Sequence, residues 1–173
     1  ADILCFNNSK RTEVEFDRGY RVYRSSIVTS AFSSPLSFSI FESLKKIFKE
    51  YDIIHLHVPN PMGALALQSI PFKGKIVVHW HSDIIKQRLL KKIYRPLQDK
   101  LLRRADKIIV TSPNYLEGSD CLKNYKQKCE IIPLGISNED FPVNEKFRKK
   151  LNDLYLGKKV ILSIGRLIYY KGF

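Results

Sequence analysis

A doubly wound α/β fold, with a parallel sheet covered by helices on both faces, is what the sequence predicts. Three observations lead there. Short β-branched apolar runs recur along the chain, as in Ile53 to His57, Lys75 to Trp80 and Lys107 to Thr111. Stretches whose apolar residues fall at helical spacing alternate with them. Several of those stretches open on a capping residue followed by proline, as at Asn60-Pro61 and Ser112-Pro113. Strands alternating with helices make βαβ units, and βαβ units make a parallel sheet.

The elements follow in order. Asp2 to Phe6 is a short buried strand. Glu13 to Phe16 and Tyr20 to Arg24 flank Asp17-Arg18-Gly19, a hairpin turn in which glycine takes the awkward dihedral. A helix is expected from about Leu36 to Tyr51, with Ser34 as cap, Pro35 at the first position, and Ile40, Phe41, Leu44, Ile47, Phe48 and Tyr51 on its apolar face. Ile53 to His57 is a strand, Pro61 to Ser69 a short helix, and Lys75 to Trp80 a second strand. Gln87 to Arg104 is a longer helix, with a kink expected at Pro96. Lys107 to Thr111 is a strand, and Ser112-Pro113 opens a helix. Cys129 to Ile132 is a strand, Glu145 to Leu154 a basic helix, and Lys159 to Ile164 a last strand ending at Gly165-Arg166. Polar residues and Pro142 interrupt the pattern near 138–143. Residues 1–141 are therefore expected to form one domain and 142–173 to open a second.

Composition narrows the function. The 173 residues carry 30 Lys and Arg against 17 Asp and Glu, a formal charge of +13. Such an excess speaks of partners: nucleic acid, an anionic membrane face, or a phosphorylated substrate. Three cysteines without a CxxC pair argue against a disulfide framework or a zinc ribbon and fit a reducing compartment. The chain opens Ala1-Asp2 with no initiator methionine, basic leader or long apolar run, which suggests a fragment and no membrane span. GxGxxG, Walker A, GxSxG and HExxH motifs do not occur, which disfavours dinucleotide and P-loop enzymes.

Four features could carry chemistry. His55/His57 and His79/His81 are two HxH pairs on strands, each pair on one face. HxH is a metal-ligand spacing, but no carboxylate or third-histidine pattern follows to complete a sphere. No metal is expected, and His55 and His79 read as packed within the sheet. His81 stands apart, because it heads His81-Ser82-Asp83 at a strand's carboxyl end, where open α/β sheets bind ligands. It could orient a sugar hydroxyl or meet charge developing in a transition state, or be a plain loop histidine; position alone leaves these level. Arg166 and Lys171 lie around a loop after a strand and could grip a diphosphate, although spacing alone favours a solvated loop. Between Lys86 and Arg104, eight basic residues meet the single acid Asp99. Arg88, Lys91, Lys92, Arg95 and Arg103 gather opposite the stripe Leu90, Ile93, Leu97 and Leu101. That face is either solvated or docks on an anionic membrane. Nucleic acid ranks lower, since no RNP-like, zinc-finger or helix-turn-helix pattern occurs. A basic binding module without catalysis, and a metal hydrolase built on the HxH pairs, remain as alternatives to a sugar-handling enzyme.

Six segments together resemble a known family. They are Asp52-Ile53-Ile54-His55-Leu56-His57, Asn60-Pro61, His79-Trp80-His81-Ser82-Asp83, Ala105 to Pro113, Ile131 to Ile136, and Ile164-Gly165-Arg166 through Lys171-Gly172. In this order they resemble retaining glycosyltransferases of family 4, which have two Rossmann-like domains in the GT-B arrangement. The resemblance implies an amino-terminal acceptor domain in residues 1–141 and the start of a nucleotide-sugar-binding domain in 142–173. It implies metal-independent transfer of a hexose, with retention, from a nucleotide-sugar donor to a glycan or lipid-linked acceptor. It implies no cofactor, no nucleic-acid partner, and a place in the cytoplasm, on or near the inner membrane face. His81 would lie near the donor sugar, Arg166 and Lys171 would bind the pyrophosphate, and His57 and Asn60 would line the acceptor side. The chain departs from the family twice. It is expected to lack the first, central strand with its glycine-rich loop, and to stop before a pair of glutamates in the second domain. Truncated at both ends, it is expected to be inactive and poorly stable alone.

Overall fold

A computed structural model describes residues 1–31, 34–83, 88–135 and 142–165; of 88–93 it describes the backbone alone. The chain divides into two compact units, Ala1–Leu134 and Gly135–Phe173. The division falls ahead of the break expected between 141 and 142.

Among the described residues, the first unit carries nine strands. β1 (Ile3–Asn7), β2 (Glu13–Asp17) and β3 (Tyr20–Ser26) form a sheet in the order β1-β3-β2, with β1 and β3 parallel. The β2–β3 hairpin turns through Arg18 and Gly19, at φ 46° and 90°. Positive φ at both central positions matches the right-handed twist of the flanking strands. β4 (Thr29–Ala31) and β5 (Ser34–Leu36) form a small antiparallel pair. β6 (Ile53–Val58), β7 (Lys75–Trp80), β8 (Lys107–Val110) and β9 (Cys129–Ile131) form a four-stranded sheet, parallel throughout and in sequence order.

Helices α1 (Ser39–Ile47), α2 (Pro61–Gln68), α3 (Arg88–Arg104) and α4 (Pro113–Gly118) connect the strands. Two begin as the sequence dictates. The Asn60 side chain accepts from the Gly63 N–H at 2.9 Å, and Ser112 Oγ accepts from the Tyr115 N–H at 3.2 Å, each with proline at the first position. α1 begins differently. Ser34 and Pro35 are not its cap but belong to β5, and the Ile40 N–H at the helix start donates instead to Ser37 Oγ at 3.3 Å. Proline is tolerated there because, among the described residues, β5 pairs on one side only.

Alternation along the parallel strands places the core. Ile76, Val78 and Trp80 of β7 and Ile108 and Val110 of β8 are buried with Leu44, Leu67, Leu101 and Leu102 of the helices in one cluster. The odd-numbered side chains of β6 and β7 point the other way. Ile53, His55 and His57 are exposed, and Val77 and His79 half-buried. His55 is therefore not packed within the sheet as expected: among the described residues, the helical cluster covers the even-numbered face.

Two cations close helix ends. Arg104 donates to Leu67 O at 2.8 Å in the last turn of α2 and to Phe72 O at 2.9 Å beyond it. Lys128 Nζ donates to Leu102 O, Arg103 O and Ala105 O at the end of α3. Both satisfy carbonyls that the helix leaves without partners. Between β1 and β6, neither of which pairs with the other, lies a cavity of about 140 Å³, lined by Leu4, Leu44, Phe48, Ile54 and Leu67 among others.

The second unit contains α5 (Glu145–Leu154), capped by Asn144, whose side chain accepts from the Phe147 N–H at 3.1 Å. The strand expected over Lys159 to Ile164 is not formed. A strand is stable only against a neighbour that completes its hydrogen bonds, and no strand is described in this unit.

Candidate functional site

Parallel strands deliver their carboxyl ends to one edge of a sheet, and the histidines collect there. His57 is the last residue but one of β6, and His81 follows the last residue of β7. The register sets His57 directly beside His79. His81 is fixed by its backbone, whose N–H donates to Val58 O at 3.0 Å. His57 Nδ1 and His81 Nε2 are 2.8 Å apart, a hydrogen bond between two exposed imidazoles. The four rings form a stacked row. Centroids lie 4.8 Å apart for His55–His57, 5.0 Å for His57–His81, 5.0 Å for His57–His79 and 4.2 Å for His79–His81.

Electrostatics keep much of this row neutral. Burial, then the neighbouring imidazoles, push His57 and His79 below the ordinary histidine range; burial and His81 do the same for His55. Both ring nitrogens of His79 are buried and have no hydrogen-bond partner among the described residues. An unpaired buried polar group costs about 1–3 kcal/mol.

The loop after His81 is held by a residue whose role the sequence did not reveal. Asp83 accepts from Trp80 Nε1 at 2.9 Å, Ser119 Oγ at 2.9 Å and Tyr115 OH at 3.3 Å. It thus clamps the turn beyond His81 to α4 and the residue after it. Tyr115 is pushed up to about 12 by burial and by the Asp83 charge. Asp83 is a buttress: its oxygens are spent on the fold.

The other candidates divide. Asn60 spends its side-chain oxygen capping α2 and lines the cavity between β1 and β6. A Cβ at Gly63 would meet Asn60 Nδ2 at 2.7 Å, so only glycine admits that cap. Arg95 and Arg103 are exposed on α3, whereas Leu97 and Leu101 of the same helix face the core. The side chains of Arg88, Lys91 and Lys92, and all of Arg166 and Lys171, lie outside the described residues. No described helix is long and apolar enough to cross a membrane.

Comparison with known proteins agrees with this architecture. The family model for glycosyltransferase family 4 matches residues 1–140. O-antigen chain mannosyltransferase C of Escherichia coli is 35% identical over 173 residues, 99% of this chain and 46% of that protein. D-rhamnosyltransferase WbpZ of Pseudomonas aeruginosa is 34% identical over 154 residues, 89% of this chain and 40% of that protein. The chain thus spans less than half the length of these curated relatives. Among solved structures, sucrose-phosphate synthase from Thermosynechococcus elongatus superposes with a TM-score of 0.58 at 19% identity, over 87% of this chain and 42% of that one. That likeness shows the fold alone: a Rossmann-like parallel sheet of the GT-B kind. With the family model covering most of its length, the chain belongs to glycosyltransferase family 4.

Proposed function

We propose that this chain is the acceptor-side part of a glycosyltransferase that moves a hexose from a nucleotide-sugar to a glycan or lipid-linked acceptor with retention. The observation that carries it is the pairing of His81 with His57 at the carboxyl ends of β7 and β6, the edge where open α/β sheets take ligands. Membership of the family and its two bacterial relatives, named for mannosyl and rhamnosyl transfer, support a sugar as the group moved.

In this reading His81 faces the donor sugar, and its imidazole steadies positive charge or a hydroxyl as the glycosidic bond to the diphosphate breaks. His57 holds the His81 ring in place. Arg166 and Lys171 would meet the charge gained by the departing diphosphate, so the transfer itself needs no metal. The basic outer face of α3, with Arg95 and Arg103 exposed, would dock on an anionic membrane surface where a lipid-linked acceptor is presented.

The test is kinetic. In the full-length protein, supplied with uridine- or guanosine-diphosphate sugars, His81→Ala is expected to lower kcat by about 10²-fold or more while donor affinity changes little. Equal losses in kcat and in donor affinity would reassign His81 to binding. Absence of turnover and of donor binding in the unsubstituted protein would overturn the transferase reading.

A further inference from the structure

Spacing along the chain offers two histidines at a time, and the fold supplies the third. Because β6 and β7 are parallel and register His57 against His79, the pair on one strand gains a partner from the next. His55 lies two residues back on the same face. Potential ligand atoms of His55, His57 and His79 all fall within 4.8 Å of one another. Two hydrogen-bonded strands thus fix the backbones from which three imidazoles converge.

Two further observations point to an occupant. His79 has both nitrogens buried with no partner among the described residues, so one lone pair beside His55 and His57 goes unused. His57 has Nδ1 engaged by His81 at 2.8 Å. When that Nδ1–H donates, Nε2 keeps its lone pair, which is the arrangement a metal-bound histidine has with its outer partner. Imidazole donors suit borderline cations (zinc, nickel, copper) rather than magnesium or calcium, which take oxygen.

We propose that His55, His57 and His79 form a three-imidazole site for a borderline divalent cation such as Zn²⁺, with His81 as the outer hydrogen-bond partner of His57. Tetrahedral zinc at Zn–N distances of about 2.0–2.1 Å brings its donors to roughly 3.3 Å apart. The exposed rings of His55 and His57 close that difference by rotating about their side-chain bonds. The site goes beyond the sugar-transfer reading, which uses no metal. It couples to that reading through one bond: a cation on His57 strengthens donation from His57 Nδ1–H to His81 and so holds the His81 ring in one tautomer.

The experiment is calorimetric titration of the metal-free full-length protein with Zn²⁺, without donor or acceptor, so its outcome is independent of any transferase activity. One site of micromolar or tighter affinity is expected. His55→Gln and His79→Gln should each remove it. His81→Gln should keep one-to-one binding, weakened by about 10-fold or more as an outer-shell change. Val77→Ala, on the same face without a donor atom, should leave it unchanged. Where a histidine variant fails to fold, X-ray absorption of the zinc-loaded unsubstituted protein decides, with three imidazoles expected in the first shell. No binding, binding that survives His55→Gln and His79→Gln, or a first shell with fewer than three imidazoles would overturn the site.

Discussion

At Gly74 the carbonyl oxygen of Asp52 occupies the place a side chain would need, 2.2 Å from where a Cβ would stand. The close approach has a purpose: the Lys75 N–H donates to that same oxygen at 2.8 Å, which starts the β6–β7 ladder. Gly74→Ala is expected to cost about 1–3 kcal/mol by forcing backbone apart, seen as a lower urea midpoint. Gly118→Ala, which meets nothing within 4 Å, should change the midpoint little. A second prediction at this scale concerns Asp83. Asp83→Ala strands the buried Ser119 hydroxyl and the Trp80 indole N–H, at about 1–3 kcal/mol for each buried group left unpaired. Because the clamp holds the turn beyond His81, activity of the full-length protein should fall as well, with kcat affected more than donor affinity. Unchanged kcat in a folded Asp83→Ala would separate the clamp from the site. Asp83 was hidden in the sequence because its partners Tyr115 and Ser119 are more than thirty residues away. His81 was legible, since the end of a strand is visible in a string of residues. Its bond to His57 depends on strand register, which no single-strand pattern encodes.

At the scale of elements, the caps and β-branched runs were enough to place β6, β7, β8, α2, α4 and α5. Serines 34 and 37 show where this fails. Both precede the same apolar helix, and either could cap it. The β4–β5 pairing, a contact between segments, draws Ser34 and Pro35 into a strand, so the helix starts later, at Ser39 after Phe38, with Ser37 Oγ accepting from the Ile40 N–H. The joint between β1, β3 and the turn after α1 yields a pH prediction. Asp2 accepts from the Tyr51 hydroxyl, from the Arg21 backbone at 2.8 Å and from its guanidinium at 2.8 Å. These bonds, that from Tyr51 foremost, hold its carboxyl down at about 2 from an ordinary 3.8. A carboxyl depressed on folding adds stability above its unfolded value and loses it as pH falls toward the folded one. Urea midpoints should therefore favour the unsubstituted chain over Asp2→Asn at pH 7, with the gap closing between pH 4 and 2. A gap that persists unchanged at pH 2 would mean that the joint is not held by charge.

At the scale of the molecule, the sheets do not join among the described residues. β1 and β6 each present an edge without a partner strand among the described residues, and an apolar cavity of about 140 Å³ lies between them. Unpaired edges leave backbone donors and acceptors to water, and empty apolar space forfeits packing contacts that a filled core would have. The second unit adds little to offset this. Ile161 and Ile164 are 98% and 85% exposed, and α5 buries none of its residues. The 173 residues alone are therefore expected to melt in a low, broad transition and to bind a dye for exposed apolar surface before melting. Circular dichroism against temperature, with dye fluorescence on the same sample, checks this. One sharp cooperative transition at high temperature, without dye binding, would show that packing of α1 and α2 against the four-stranded sheet suffices to hold the first unit together.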